Sequence, residues 1–465
     1  MFKRVLVANR GEIAVRIIRA LREMGIESVA VYSNPDQDAL HTILADYAFC
    51  LDGNRVQETY TNMDKIINIA KISGADAIHP GYGFLSERPN FAKAVEDAGI
   101  TFIGPNSDII RLMGDKIEAR KVMLSLGVPL VKGSETAISS YEEAALIADK
   151  IGYPVLIKAA AGGGGMGMKI ASSPNELEQA LETVKNTAIS LYADESVFLE
   201  KYLIKPRHIE VQVMGDKHGN YVHLGERECS IQRRHMKIVE ETPCLALSPE
   251  IREEMCKTAV SIAKAVGYNS VGTVEFIYED NEFYFLEMNT RIQVEHTITE
   301  AVTSVDLVKE QISIAACNPL SVKQEDIKFN GHAIECRIYA EDPIKSFTPS
   351  PGKITDYIAP GGPGIRLDSG VRAGYTVSTY YDSMLSKLIA IGKDRDESID
   401  RMKRGLKEFY IEGIKTNIPM LIAIMKDSDF KESNISTKFL EEHNKIIEEC
   451  SSERKTIFIA VENSN

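Results

Sequence analysis

The first thirty residues alternate between short apolar runs and one stretch with helical periodicity. Residues 5–8 and 29–32 are apolar runs, and residues 13–24 between them repeat apolar positions with the period of a helix. This order predicts a βαβ unit with parallel strands. The pattern continues to about residue 113, with strands predicted at 77–78 and 102–103 and helices at 63–73 and 90–98. The turn after the first strand has one glycine, Gly11, so it carries neither the dinucleotide fingerprint nor a P-loop.

From about residue 115 the pattern changes to helices separated by hairpins. Two hairpins are strong, one over 155–170 around a glycine run and one over 274–287 around Asp280-Asn281. They predict an antiparallel α+β middle region. A new strand-rich section begins near residue 331 and closes with helices from 397 to about 426. The prediction is α/β plus α+β, divided into 1–114, 115–330, 331–447 and a tail over 448–465.

Charge and composition exclude several functional classes. The chain has 465 residues, with 54 Lys and Arg against 67 Asp and Glu, a net charge of −13. This surface disfavours nucleic acid and anionic membranes as partners. No apolar stretch approaches the roughly 20 residues of a membrane span, and the amino-terminal apolar run is too short for a secretion signal. Seven scattered cysteines without a C-x-x-C pair predict reduced thiols, no zinc site and a cytoplasmic location.

A glycine run lies between two strand-like segments of the first hairpin. The four glycines from Gly162 to Gly165 leave a loop without side chains, whose backbone N–H groups can surround phosphate oxygens. Lys158 and Lys169 lie at its two rims. A flexible linker is the alternative, although linkers usually include Ser or Thr. The loop alone is a moderate indication of a phosphate site.

The second hairpin places two carboxylates opposite one another. If the chain turns about Asn281, Glu275 and Glu287 share one face of the strand pair. Like charges in that position destabilise a sheet unless a cation separates them, and Mg²⁺ takes one or two carboxylates while keeping positions for phosphate oxygens. A solvated acidic edge is the alternative.

The segment after Glu287 continues this polar face. Counting by twos gives acid, amide, cation, amide and acid, at Glu287, Asn289, Arg291, Gln293 and Glu295. If the segment is extended, these side chains point the same way. The pattern predicts a metal end formed by the first two with Glu275, an oxyanion end at Arg291, and Glu295 as a candidate base.

A basic cluster over residues 232–237 stands out in an acidic chain. It contains His235 and Lys237. A solvated surface loop is the simpler interpretation, and a functional role depends on the glycine loop and acidic hairpin in the same chain. Of the nine histidines, His208 and His235 are functional candidates, whereas the rest, including His79, are predicted to be structural.

Together these motifs resemble the ATP-grasp superfamily and, within it, the biotin carboxylases. The resemblance extends from residue 2 to about 445 and is carried by residues 7–14, 79–87, 162–165, 229–235, 287–296 and 380–384. It implies a Rossmann-like amino-terminal domain, an ATP-grasp domain with a mobile lid over about 131–203, and a carboxy-terminal domain of the biotin carboxylase type. It also implies a homodimer.

The resemblance assigns roles by matching position. ATP contacts are implied for Lys116, Lys158, Gly164, Gly165, Glu200, Lys201, Tyr202, Leu203, His208, Gln232 and His235, with Glu275 and Glu287 reaching the nucleotide through metal. Glu275, Glu287 and Asn289 would hold Mg²⁺ or Mn²⁺. Lys237, Arg291, Gln293, Val294, Arg337 and Tyr82 would bind bicarbonate or biotin. The implied catalytic set is Arg291, Glu295, Lys237 and Arg337, with Glu295 as base. Two positions depart from the family pattern, Met166 and Met236.

The implied reaction is ATP-dependent carboxylation of biotin by bicarbonate through carboxyphosphate. It is the first half-reaction of a biotin-dependent carboxylase, so partners would be a biotin carboxyl carrier protein and a carboxyltransferase. No Ala-Met-Lys-Met attachment motif occurs in the sequence. The final acceptor stays open among acetyl-CoA, propionyl-CoA and pyruvate. Two other functions are weighed: a different ATP-grasp carboxylate ligase, and a non-catalytic nucleotide-sensing subunit, which would be expected to lack a metal or base residue.

Overall fold

The structure is a computed structural model, and it describes residues 1–134, 136–159, 167–192 and 194–450. The amino-terminal part is a parallel α/β layer, as predicted. Its sheet has the order β3-β2-β1-β4-β5, with parallel pairing throughout. The elements are β1 (Arg4–Val7), α1 (Gly11–Glu23), β2 (Glu27–Tyr32), α2 (Leu40–Leu44), β3 (Tyr47–Cys50), α3 (Met63–Ser73), β4 (Ala77–His79), α4 (Pro89–Asp97) and β5 (Thr101–Phe102).

A small antiparallel sheet with two covering helices follows. Its strands have the order β7-β6-β8 and pack their apolar face against α7 and α8. The predicted hairpin around the glycine run is confirmed, since β6 and β7 pair antiparallel. The glycine run itself, with Gly164, Gly165 and Met166, lies outside the described residues. The elements are α5 (Ser107–Gly114), α6 (Lys116–Ser125), α7 (Tyr141–Ile151), β6 (Val155–Ala159), β7 (Met168–Ala171), α8 (Pro174–Tyr192) and β8 (Val197–Lys201).

The largest element is an eight-stranded antiparallel sheet of order β13-β12-β9-β10-β11-β14-β21-β19. Because β11 pairs with β14, one sheet continues across residue 330. Its first members and neighbouring helices are β9 (Arg207–Gly215), β10 (Tyr221–Arg233), β11 (Met236–Thr242), α9 (Pro249–Ala265), β12 (Val271–Glu279), β13 (Glu282–Asn289), α10 (His296–Thr303), α11 (Leu307–Ala315) and β14 (His332–Tyr339).

The remaining elements complete this sheet and cover it. They are β15 (Glu341–Asp342), β16 (Thr348–Pro349), β17 (Gly352–Lys353), β18 (Tyr357–Ile358), β19 (Ile365–Ser369), β20 (Thr376–Val377), β21 (Met384–Gly392), α12 (Arg395–Glu408), β22 (Tyr410–Ile411), α13 (Ile418–Lys426), α14 (Ser428–Lys431) and α15 (Phe439–Glu442). Helices α12 and α13 pack on β14 and β21 around a continuous apolar core. The helices predicted between 397 and 426 are therefore confirmed.

The β12–β13 hairpin reaches the predicted carboxylate pairing by a different route. Its turn residues, Asp280 and Asn281, are both left-handed, at φ 53° and 65°. On either side of this turn, Glu279 is paired with Glu282. Regular pairing from that turn would set Glu275 opposite Leu286. A β-bulge between Glu275 and Phe276 shifts the register by one, so that Glu275 lies opposite Glu287.

All seven cysteines lie in the described residues as thiols, and five of them are buried, as the sequence predicts. In the described part of the chain, no helix combines the length and apolar character needed to cross a bilayer.

Candidate functional site

One face of the large sheet carries the candidate site, because its strands alternate apolar and polar side chains. On β9, Ile209 and Val211 join the hydrophobic core, whereas His208 and Glu210 point to the opposite face. All four are buried. Strands β10 to β13 add polar side chains to the same face, so the site is a buried polar cluster built on rigid elements.

Lys237 is the centre of this cluster. Its Nζ donates to Glu210 Oε2 at 2.6 Å, Glu275 Oε1 at 2.9 Å and Glu295 Oε1 at 2.6 Å. Burial alone would lower the pKa of Lys237, but the three carboxylates outweigh it and raise this pKa well above its ordinary value. The ammonium group is therefore a fixed positive charge, held where an anion can approach.

Glu275 is the most heavily bonded carboxylate at the predicted metal end. Asn289 Nδ2 and Gln293 Nε2 donate to its Oε1 at 2.9 and 2.7 Å, and His208 Nε2 lies 2.9 Å from its Oε2. Desolvation would raise its pKa, yet Lys237 and His208 hold it well below the usual range. Glu275 is thus a carboxylate ready to face a cation.

Glu287 completes a set of oxygen donors. Partial desolvation, together with the charges of Glu275 and Glu87, raises its pKa. In the described ranges no hydrogen bond or ion pair satisfies its carboxylate. Two carboxylates and the Asn289 amide oxygen are the ligand types that Mg²⁺ prefers. The residues predicted as metal ligands are therefore brought together, and their chemistry fits that ion.

The predicted extended segment from Glu287 to Glu295 ends earlier than expected. Strand β13 stops at Asn289, and Val294 and Glu295 form a turn that leads into α10. Arg291 folds back toward the strand, where its Nη2 donates to Asn289 Oδ1 at 2.7 Å and its Nε to Glu87 Oε2 at 2.8 Å. Its side chain still lies beside the metal end, although not through simple alternation.

Glu295 lies between two cations. Lys237 binds one carboxylate oxygen, and Arg337 Nη2 donates to the other at 3.0 Å. Burial would raise the pKa of Glu295, but Lys237 and Arg337 hold it well below its ordinary value. Glu295 is ionised, which is the protonation state a general base requires.

Tyr82 and Val294 lie on the same side of the cluster. The Val294 carbonyl accepts from Lys387 Nζ at 2.7 Å. Lys387 also lies 3.2 Å from Glu12 Oε2, and the Tyr82 hydroxyl donates to the other Glu12 oxygen. The amino-terminal α1 thereby contacts the strand that carries Lys387.

The residues predicted to bind ATP occupy the small sheet and its junction with the large one. Lys158 Nζ lies 2.5 Å from Glu200 Oε1. Lys201 Nζ donates to the Gly152 and Tyr153 carbonyls at 3.0 Å each. Desolvation and the charge of Lys158 lower the pKa of Lys116, so these two ammonium groups are close enough to repel. An anionic group between them would relieve that repulsion.

The other predicted nucleotide contacts are more dispersed. Gln232 Nε2 lies 3.1 Å from His208 Nδ1 and joins the buried cluster. His235 is exposed in the β10–β11 turn at φ 66°. Tyr202 lies beneath Lys438 Nζ, 4.8 Å from the ring centre, and Leu203 is half-buried.

Sequence reasoning missed three buried residues that support the site: Glu210, Arg227 and Glu240. The Arg227 guanidinium donates to Glu210 at 2.6 Å and to Gln293 Oε1 at 2.7 Å. Its other bonds go to Gln212, Thr273 and Thr299. Glu240 Oε1 accepts from Arg337 Nε at 2.6 Å. The sequence signal that could have identified them is a charged residue at alternate positions of an otherwise apolar strand.

Matches to known protein families extend over nearly the whole chain. Residues 1–110 match the family described as biotin carboxylase, N-terminal domain, and residues 335–442 match the biotin carboxylase C-terminal domain. Residues 115–323 match the ATP-binding domain of the carbamoyl-phosphate synthase L chain.

Individual relatives agree with these matches. The chain is 53% identical to biotin carboxylase 1 of Bacillus subtilis, over 96% of this chain and 99% of the relative. It is 52% identical to a pyruvate carboxylase subunit of Methanothermobacter thermautotrophicus, over 96% of this chain and 91% of the relative. A crystal structure of the biotin carboxylase domain dimer of Hydrogenobacter thermophilus 2-oxoglutarate carboxylase, with MgADP, ADP and bicarbonate, has a TM-score of 0.91 at 51% identity, covering 96% of this chain and 99% of that one.

Proposed function

The chain belongs to the biotin carboxylase family, and from that premise we propose how its residues perform the reaction. The enzyme carboxylates biotin with bicarbonate at the expense of ATP, and biotin arrives on a separate carrier protein. One observation carries the assignment of residues: Lys237 is bonded at once to Glu275, at the metal end, and to Glu295, the candidate base. The two halves of the chemistry therefore share one fixed cation.

ATP would lie between the small sheet and the metal end of the large one. Lys116, Lys158 and Lys201 provide positive charge there, and the glycine run between β6 and β7 would cover the phosphates. Further contacts are proposed for Glu200, Tyr202, Leu203, His208, Gln232 and His235. Glu275, Glu287 and Asn289 would hold Mg²⁺, or Mn²⁺ in its place. Such an ion neutralises charge on the phosphoryl oxygens as transfer proceeds.

The first step is formation of carboxyphosphate. Glu295 takes the proton of bicarbonate, and the freed oxygen attacks the γ-phosphorus of ATP while the bond to the leaving ADP oxygen breaks. Lys237 and Arg291 lie where the charges of bicarbonate and of the transferring group would develop. Gln293 and Val294 would complete the bicarbonate contacts.

Binding of bicarbonate also resolves a conflict at Glu295. A carboxylate whose pKa is held so low is a weak base. The cations responsible, Lys237 and Arg337, are those a bound anion would engage. Bicarbonate competes with Glu295 for them, and the proton affinity of Glu295 rises in the complex that needs it.

The second step transfers the carboxyl group. Carboxyphosphate breaks into CO₂ and phosphate, and the phosphate takes the proton from the ureido nitrogen of biotin. The nitrogen then attacks CO₂, while Arg337 stabilises negative charge on the ureido oxygen. Tyr82 borders the Arg337 side of the site through Glu12 and would contact the substrate there.

Carboxybiotin must then pass to another catalyst. We infer a biotin carboxyl carrier protein and a carboxyltransferase as partners, a cytoplasmic location and a homodimer, as in the Hydrogenobacter structure. Two of the relatives named above belong to carboxylases of different acceptors, pyruvate and 2-oxoglutarate. The carboxyltransferase therefore determines which molecule accepts the carboxyl group.

The function is tested by omitting one reactant at a time. With Mg²⁺, ATP and free biotin, the purified chain should release ADP in a bicarbonate-dependent manner and form carboxybiotin. ADP release that is unaffected by removal of bicarbonate would contradict the function.

The role of Glu295 is tested by Glu295→Gln. This change should leave ADP affinity within about twofold and lower turnover by at least about 100-fold, a typical contribution of general-base catalysis. Glu254→Gln, on the exposed side of α9, is the matched control and should keep full activity. Loss of ADP affinity in Glu295→Gln would assign this residue to nucleotide binding instead.

A further inference from the structure

A buried pair of glutamates lies beside Arg337 and has no role in the reaction described above. Glu240 on β11 and Glu335 on β14 are directly opposite in the antiparallel register. Directly opposed residues project from the same face of a sheet. Neither residue has any exposed surface.

Among the described residues, a cation donates a hydrogen bond to only one member of this pair. Glu240 Oε1 accepts from Arg337 Nε at 2.6 Å, and Glu335 Oε2 accepts from the Thr297 hydroxyl. The remaining oxygens, Glu240 Oε2 and Glu335 Oε1, have no hydrogen-bond partner within the described ranges. The nearby Lys387 contacts the Val294 carbonyl and Glu12.

Two ionised carboxylates cannot both persist in this position. Like charges directly opposed destabilise a sheet, and an unpaired buried charge costs several kcal/mol. Arg337 binds Glu240, whereas Glu335 has a neutral hydroxyl as its hydrogen-bond donor. The proton therefore belongs on Glu335, and Glu240 carries the charge that faces Arg337.

We propose that Glu240 is a positioning residue for Arg337: its ionised carboxylate fixes the guanidinium toward the reactants, while Glu335 stays protonated. This inference rests on the proposed role of Arg337 toward biotin. The Nε and Nη2 atoms of Arg337 are bound by Glu240 and Glu295. Glu240 thereby orients the group that faces the ureido oxygen.

The arrangement predicts a dependence on pH. Burial, with the charge of Glu295, raises the pKa of Glu240 to about 7, against the opposing effects of Arg337 and Lys237. Burial, with the charge of Glu240, raises the pKa of Glu335 well above the ordinary value. The surrounding titratable groups are Tyr82 after β4, Cys229 on β10, Lys237 on β11, Cys336, Arg337 and Tyr339 on β14, Glu295 before α10, Lys387 on β21 and Glu12 on α1.

The direction of the pH dependence follows from the raised pKa of Glu240. Above about pH 7 Glu240 is ionised and forms an ion pair with Arg337. Below that pH Glu240 is neutral, and its interaction with Arg337 weakens. The kcat/KM for free biotin should therefore rise about tenfold between about pH 6 and pH 8, with its midpoint near 7. Over the same range Glu335 remains neutral and contributes no inflection.

Two isosteric variants separate the glutamates. Glu240→Gln should remain at the low-pH level throughout, about tenfold below wild type at pH 8, while its Kd for ADP stays unchanged. Glu335→Gln, the same substitution on the opposed strand, should follow the wild-type profile. A Glu240→Gln profile that keeps the wild-type inflection would overturn the proposal, and so would a Glu335→Gln midpoint that moves.

Infrared spectroscopy tests the protonation states without turnover. The C=O stretching band of one protonated carboxyl group should persist to pH 8 in wild type and disappear in Glu335→Gln. A second band should fade with a midpoint near 7 and be missing from Glu240→Gln. Persistence of the first band in Glu335→Gln would contradict the assignment of the proton. A wild-type chain without biotin-dependent turnover would refute the proposed function and leave this spectroscopic result standing.

Discussion

At the scale of single residues, the site depends on a buried arginine that touches no proposed substrate. Arg227 is fully buried, and its guanidinium hydrogen bonds fix both Glu210 and Gln293. Those two side chains in turn contact Lys237 and Glu275. The planar guanidinium of Arg227 therefore fixes, through Glu210 and Gln293, the orientation of Lys237 and Glu275.

Replacing this arginine should be costly to the fold. In Arg227→Met the Glu210 carboxylate keeps Lys237 but loses its buried partner, and breaking a buried ion pair typically costs about 3–5 kcal/mol. We expect a clear drop in the thermal unfolding midpoint. Arg111→Ala removes an exposed arginine paired with Asp108 and should change stability by less than about 1 kcal/mol. Similar drops in the two variants would show that the Arg227 network contributes little.

At the scale of elements, the β12–β13 hairpin controls the distance between the two carboxylates proposed to hold the metal ion. Its turn residues are both left-handed, and Tyr278 donates to the Asn281 side chain at 3.0 Å. A turn with two left-handed residues matches the twist of the strands and fixes their register. Together with the bulge it determines that Glu287 faces Glu275.

The turn can be tested by two substitutions at one position. Asn281→Val places a β-branched residue at φ 65° and should destabilise the chain by about 1–2 kcal/mol. Asn281→Gly also loses the Tyr278 contact but accepts this backbone, so its stability should equal or exceed that of wild type. Denaturant unfolding of both variants measures the difference. Equal destabilisation would assign the effect to the lost side-chain contact.

This hairpin also shows how far sequence reasoning extends. Alternation with a period of two, counted from a turn centred on Asn281, predicts that Glu275 and Glu287 share a face. The observed turn is Asp280-Asn281, and the shared face is reached only through the β-bulge, which alternation does not predict. The same counting fails beyond Asn289, since the start of α10 at His296 requires a turn. Glu210, Arg227 and Glu240 were missed because their partners come from other strands, and the order β12-β9-β10-β11-β14 is a tertiary property.

At the scale of the whole molecule, net charge describes the surface better than the site. The chain carries −13, yet Lys237 and Arg337 are both bound to the buried Glu295, and the half-buried Arg291 is bound to Glu87. In the proposed reaction, anionic reactants would therefore exchange places with the protein's own anions. The net charge of −13 therefore gives no measure of how strongly these local cations hold an anion.

A buried ion pair within the amino-terminal layer is also hydrogen-bonded to the carboxy-terminal part through Tyr375. Arg10 Nε donates to Asp36 Oδ2 at 2.6 Å, and the Tyr375 hydroxyl donates to the other Asp36 oxygen at 3.0 Å. Asp36 is fully buried. Burial would raise its pKa, but Arg10 holds it well below the ordinary range. The ionised carboxylate thus stabilises the contact between the parallel layer and the carboxy-terminal part.

The stabilisation by Asp36 should disappear in acid. A carboxyl group whose pKa is depressed in the folded state contributes fully above its unfolded value, about 3.9, and loses that contribution as the pH falls below it. Asp36→Asn should therefore melt several degrees below wild type at pH 7, and this gap should narrow as the pH falls toward 3. Asp97→Asn, in an exposed pair with Lys93, is the control and should show little difference at either pH. A gap for Asp36→Asn that stays constant with pH would mean that packing, rather than the charge of Asp36, holds the amino-terminal layer against the carboxy-terminal part.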